Sequence, residues 1–97
     1  MDGKKVLEVI DTYEQELKRR GATPLKADHN QVLDPATDNR AVCLGHCLGM
    51  IPQMREFIAT DHLEKTFRWL GFIQGVLWPL GIYSIDEMKN HNRPDSS

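Results

Sequence analysis

Between Leu63 and Leu80, apolar side chains occupy nearly the whole circumference of a helical wheel. Leu63, Phe67, Leu70, Gln74 and Leu77 follow one stripe, and Trp69, Phe72, Ile73, Val76 and Trp78 fill most of the remaining girth. A helix apolar on several sides must be covered on several sides, so this segment, expected as a third helix from His62 to about Leu80, is expected at the centre of the fold. Pro79 and Gly81 supply its stop. A membrane span is excluded, because the apolar run from Trp69 to Ile82 is broken by Gln74 and Pro79 and falls short of the roughly 20 residues a bilayer requires. A chain of 97 residues forms one domain, 1–97, and buries only about 60 to 68% of the surface it exposes when unfolded. Such a chain has no room for an enclosed active-site cavity. It also has few elements with which to cover an all-round apolar helix, which argues for a homodimer, a higher homo-oligomer or a protein partner.

The other elements follow from spacing and capping. Val6, Ile10, Tyr13 and Leu17 mark one face of a first helix over residues 4–20, closed by Gly21 and by Lys18, Arg19 and Arg20 at its negative dipole end. From Ala22 to Asn39 the periodicity collapses into a long loop rich in Pro, Asp and Asn, of a length that is often functional or partly disordered. A second helix starts at Pro35 or Asn39, with Asp34 or Asp38 as cap, and runs to Ala59. Pro52 is expected to kink or break it near Met50 and Ile51. Asp61 with Glu64 resembles a capping box for helix three, and Ser84 with Glu87 one for a short fourth helix over 83–91, with Tyr83 stapled onto Met88. The sum is an all-α, four-helix bundle-like domain with a long loop between helices one and two, frayed at 1–3 and 95–97.

Charge and cysteine content narrow the function classes. The formal net charge is -2 and the sequence pI about 6.0, a poor balance for a nucleic-acid binder, whose affinity rests on clustered positive charge. The basic triplet at Lys18, Arg19 and Arg20 is the one patch that invites that reading, and it reads better as a solvated helix end. Cys43 and Cys47 are four residues apart on one helix, a geometry unsuited to an internal disulfide. Reduced thiols and the absence of an apolar leader after Met1-Asp2-Gly3-Lys4-Lys5 suggest a cytoplasmic protein.

Three constellations stand out. Gly45 with Gly49 and Gly71 with Gly75 each clear one side of a helix, and four interior glycines need a compensating contact. Packing of helix two on helix three is the first explanation, a dimer seam or ligand contact the second. Cys43, His46, Cys47 and Met50 share a helical face. With His62 and Arg68, His46 and Cys47 could line a small-molecule or metal site near the junction of helices two and three, although buried cysteines beside a hydrogen-bonded histidine are the simpler reading and no metal or cofactor is expected. Finally, Arg68, Trp69, Phe72 and Trp78 could form a recognition face on helix three, an arginine supplying a directional donor among aromatic anchors. No P-loop, G-x-S-x-G or H-E-x-x-H sequence is present.

The stretches EKTFRWLGFIQGVLW (64–78) and SIDEMKNHNRP (84–94), with His46, Cys47 and Met50 before them, resemble the C-terminal half of a group of small helical proteins encoded by bacteria and phages. That group often has a bulkier aromatic where Leu48 or Gly49 stands here. The resemblance implies a compact helical protein of bacterial or phage origin and brings no activity, cofactor or catalytic residue. The expectation from sequence is therefore a non-enzymatic interaction or regulatory protein, with a small-molecule or metal-binding protein as the alternative.

Overall fold

A computed structural model describes residues 1–94 of the chain, so the fraying expected at 95–97 lies outside the described residues. Four helices are present and no strand among the described residues: α1 (Gly3–Arg19), α2 (Arg40–Ala59), α3 (Leu63–Leu77) and α4 (Ile85–Asn92). The all-α class read from periodicity is what forms.

The helices begin and end for identifiable reasons. Asp2 caps α1 by accepting from the Lys5 N–H at 2.9 Å. Ser84 and Glu87 form the expected reciprocal capping box on α4. Gly21 and Gly81 adopt φ of 85° and 75°. Around each, paired backbone bonds close the preceding helix in a Schellman turn: Ala22 N–H to Leu17 and Gly21 N–H to Lys18, then Ile82 N–H to Leu77 and Gly81 N–H to Trp78.

Three expectations need correction. Asp61 is not the cap of α3. Its φ is 63°, and with His62 N–H bonded to Phe57 O and Asp61 N–H to Ile58 O it closes α2 as the left-handed residue of a third Schellman turn. His62 then takes the cap position of α3 without a side-chain cap bond. Asp34 does not cap α2 either. It holds a turn through Ala36 N–H, while Asp38 accepts from the Arg40 N–H at 3.0 Å beside the start of α2. Pro52 does not break α2, which continues through it with the proline ring on the exposed side.

The centre of the molecule is α2. It packs against both α1 and α3, and its buried residues Leu44, Gly45, Cys47, Leu48, Met50, Ile51 and Met54 lie around most of its circumference. By contrast, α3 buries one stripe, Thr66, Leu70, Ile73 and Leu77, and leaves Phe72 and Trp78 more than half exposed. The physical reason is that nothing forces every apolar residue inward. The loop, not a helix, covers one side of α2. Residues 23–25 cross it so closely that Leu25 N–H bonds to Gly45 O at 3.0 Å. A Cβ at Gly45 would lie 2.7 Å from Thr23 O, and one at Gly49 would lie 2.8 Å from Leu25 O. The first glycine pair therefore admits the loop backbone rather than a helix.

Two side-chain systems tie the helices together. Arg55 of α2 forks onto Glu14 of α1 with two bonds of 2.9 Å and reaches Asp11 at 2.7 Å. The bond from Arg55 is the main reason the Glu14 carboxyl is held below its usual range. Tyr13 of α1, fully buried, meets α3 and α4 in the polar network described below.

Candidate functional site

The outer face of α3 is the open surface of the molecule. Arg68, Gly71, Phe72, Gly75 and Trp78 recur there at helical spacing and are all exposed. An added Cβ at Gly71 or Gly75 would meet nothing within 4 Å. The two glycines form a flat strip between aromatic flanks. On one side Phe72, 52% exposed, leans edge-on toward His46 with ring centroids 5.8 Å apart. On the other, Trp78, 55% exposed, borders a groove of about 300 Å³ between α3 and α4. Gln74, Gly75 and Trp78 contribute one wall of that groove, and Ile85, Met88, Lys89 and Asn92 of α4 the other. Ile85 is itself 46% exposed.

The floor of the groove is a closed hydrogen-bond network. The side-chain amides of Gln74 and Asn92 pair reciprocally at 2.9 and 3.2 Å. Gln74 also donates to the Tyr13 hydroxyl at 2.9 Å, and that hydroxyl lies 2.9 Å from His91 Nδ1. With Gln74 donating to the phenol oxygen, the arrangement that gives the buried Tyr13 proton an acceptor is a neutral His91 carrying its own proton on Nε2. Burial pushes the Tyr13 phenol up to about 12 and holds the His91 imidazolium below its ordinary range. The bonds of the network close on one another, with Tyr13 inaccessible and Gln74 and Asn92 edging the groove. Its role is to fix α4 against α1 and α3 and so to shape the groove.

Of the recognition residues expected on helix three, Arg68, Phe72 and Trp78 share this open face. Trp69 does not: it turns toward α2 and stacks edge-on against Phe57 at 4.9 Å. The residues proposed for a ligand or metal site do not converge. Cys47 is fully buried, and burial drives its thiol up to about 12, which makes it a poor nucleophile. His46 faces His29 and Phe72, with Nδ1 buried and without a hydrogen-bond partner. His62 lies beyond the far end of α2, bonded to the Thr60 hydroxyl at 2.8 Å. Some sixteen residues separate the two histidines, roughly 20 Å along a helix. Arg68 sits on the exposed side of α3, 3.5 Å from Glu64. Among the described residues no three His, Cys, Asp or Glu side chains are grouped to hold a metal ion.

The basic triplet is tied to its own helix. Lys18 lies 4.0 Å from Glu14, Arg20 lies 2.8 Å from Glu16, and Arg19 also bonds Glu16. The bonds from Arg19 and then Arg20 bring the Glu16 carboxyl down to about 2. Cys43 and Cys47 are both free thiols, and no helix among the described residues is long and apolar enough to cross a membrane.

Sequence reasoning missed Tyr13 and Asn92 as partners of Gln74, and His91 as the partner of Tyr13. One signal was available: Gln74 is the lone amide inside an apolar stripe, and a buried amide requires partners. Compared with protein-family models, curated proteins and solved structures, the chain matches none. The bacterial or phage kinship suggested by its C-terminal half gains no support from these comparisons.

Proposed function

We propose that this protein acts without catalysis, by docking a protein on the open face formed by α3 and α4, and that it does so as a cytoplasmic protein with reduced thiols. One observation carries the reading. Of the exposed large hydrophobics among the described residues, those borne by α3 and α4 or the turn between them (Phe72, Trp78 and Ile85) all border this one surface, while the others belong to Met1 or to the loop before α2. Aromatic anchors beside an arginine, surrounded by polar residues, are the usual composition of an interface centre. The groove is small and its amides already satisfy each other, which speaks for side-chain anchoring by a protein rather than capture of a metabolite.

A photoreactive benzoylphenylalanine placed at Phe72 tests this. Irradiation of cells producing the chain should give a covalent protein adduct, identified by mass spectrometry and lost when Gly75→Glu is added. The same probe at Gln53, exposed on α2, should give none. Absence of a Phe72 adduct, or equal adducts at both positions, would refute the reading.

A further inference from the structure

The open face of α3 bears its complementary groups in mirrored positions. Gly71 and Gly75 stand two residues either side of Ile73, and Arg68 and Trp78 stand five either side. We propose that this face pairs with the same face of a second copy of the chain, the two α3 helices running antiparallel about a two-fold axis at the level of Ile73. The inference rests on the face being a protein-docking surface and names the occupant.

In an isologous pair each contact occurs twice, residue i meeting j and j meeting i. An antiparallel crossing at Ile73 sets each Gly71 opposite the partner's Gly75. Both positions are open, so the helix backbones can approach to about 8 Å or less. Phe72 is adjacent to the axis, and its counterpart falls beside it on the same flank, which gives an aromatic pair at the seam. Arg68 arrives at the level of the partner's Trp78, a guanidinium over an indole, on both halves of the interface. The Arg68 donors are available for it, since the ion pair with Glu64 is 3.5 Å long and lies on side chains 66% and 90% exposed. The Trp78 end also carries Lys89 on the groove rim, opposite in sign to the partner's Glu64. A parallel pairing would keep glycine against glycine but would place Arg68 against Arg68 and forgo the Arg68–Trp78 and Lys89–Glu64 matches. An unrelated partner would require no such mirrored spacing.

Sedimentation equilibrium from low to high micromolar concentration is the test. The wild-type chain should show a monomer–dimer equilibrium. Gly75→Leu and Arg68→Glu should each weaken it by about tenfold or more, with helicity by circular dichroism unchanged because both positions are exposed. Combining Arg68→Trp with Trp78→Arg should restore much of the affinity lost in either single variant. Register is read separately, in a Cys43→Ser background. Mixed Gly71→Cys and Gly75→Cys chains should form a heterodisulfide under mild oxidation, whereas Gly71→Cys alone should not form a symmetric one, its two sulfurs being a full helical turn apart. A chain that stays monomeric throughout, a dimer indifferent to Gly75→Leu, or a ready symmetric disulfide at position 71 would each overturn the proposal. A strict monomer that still yields an adduct to another protein from Phe72 would overturn self-pairing and leave the docking face standing. No adduct at all would remove both.

Discussion

Four glycines lie inside helices α2 and α3, and they do two different things. Gly45 and Gly49 let the backbone of residues 23–25 rest on α2, and a methyl group at either would fall 2.7 to 2.8 Å from a carbonyl oxygen. Gly45→Ala must therefore push the loop away, and we expect a loss of about 1 to 3 kcal/mol. Gly71 and Gly75 face open space, so Gly75→Ala should stabilise the monomer by about 0.5 to 1 kcal/mol through helix propensity alone. Urea unfolding midpoints of the two variants should move in opposite directions, and a shared direction would refute this division. The sequence shows that both pairs clear a helix side. It cannot show what occupies the cleared space, because the neighbour of the first pair is an irregular segment with no periodicity to read. Asp61 illustrates the same limit: an Asp three residues before a Glu signals a capping box, yet here it serves as a left-handed helix stop, a position Asp tolerates better than most residues.

At the level of elements, what was legible was local. The amphipathic stripe of α1 and the Ser84–Glu87 box of α4 depend on residues within one turn of each other, and both form as expected. What joins the elements was not legible, since Arg55 and Glu14 are 41 residues apart and Tyr13 and His91 78 apart. These ties make the element-scale predictions. Arg55→Met should cost about 1 kcal/mol at neutral pH, as it removes a forked, partly exposed bridge and leaves Asp11 and Glu14 with only Lys18 near Glu14. The cost should shrink as pH falls below the ordinary carboxylate range, because Glu14 has a lowered pKa in the fold and its contribution is present above the unfolded value and lost on protonation. Glu14→Gln and Arg55→Met combined should be less harmful than the sum of the two. For His91 the depressed pKa gives the corresponding sign. Neutral imidazole accepts the Tyr13 hydroxyl, so its stabilisation is complete above pH 6.5, the unfolded value, and is lost as pH falls through the lower folded value. The urea midpoint should drop between pH 7.5 and 5.5 in the wild-type chain and drop less in His91→Gln. Equal pH dependence in the two would contradict the network.

For the whole molecule, the abundance of apolar residues in α3 was visible from the start, but the expectation that it makes α3 the central helix does not hold. The helix buried around most of its girth is α2, because α1, α3 and the loop strap all lie against it. As a result α3 stands at the periphery, with one stripe inside and Phe72 and Trp78 outside. Residues 23–25 of the loop rest on α2 through backbone contacts at Gly45 and Gly49, a neighbour that no apolar pattern announces. The account's central proposal is that the outer face of α3 is covered by the same face of a second copy of the chain. The chain has two tryptophans, and Trp69→Phe keeps a ring against Phe57 while leaving Trp78 as the sole indole. Acrylamide quenching of that variant measures the face directly. With rising protein concentration, quenching should fall and emission should shift to the blue, and Gly71→Leu should abolish both changes. A Trp78 that is equally quenched at every concentration and in both backgrounds would contradict the claim.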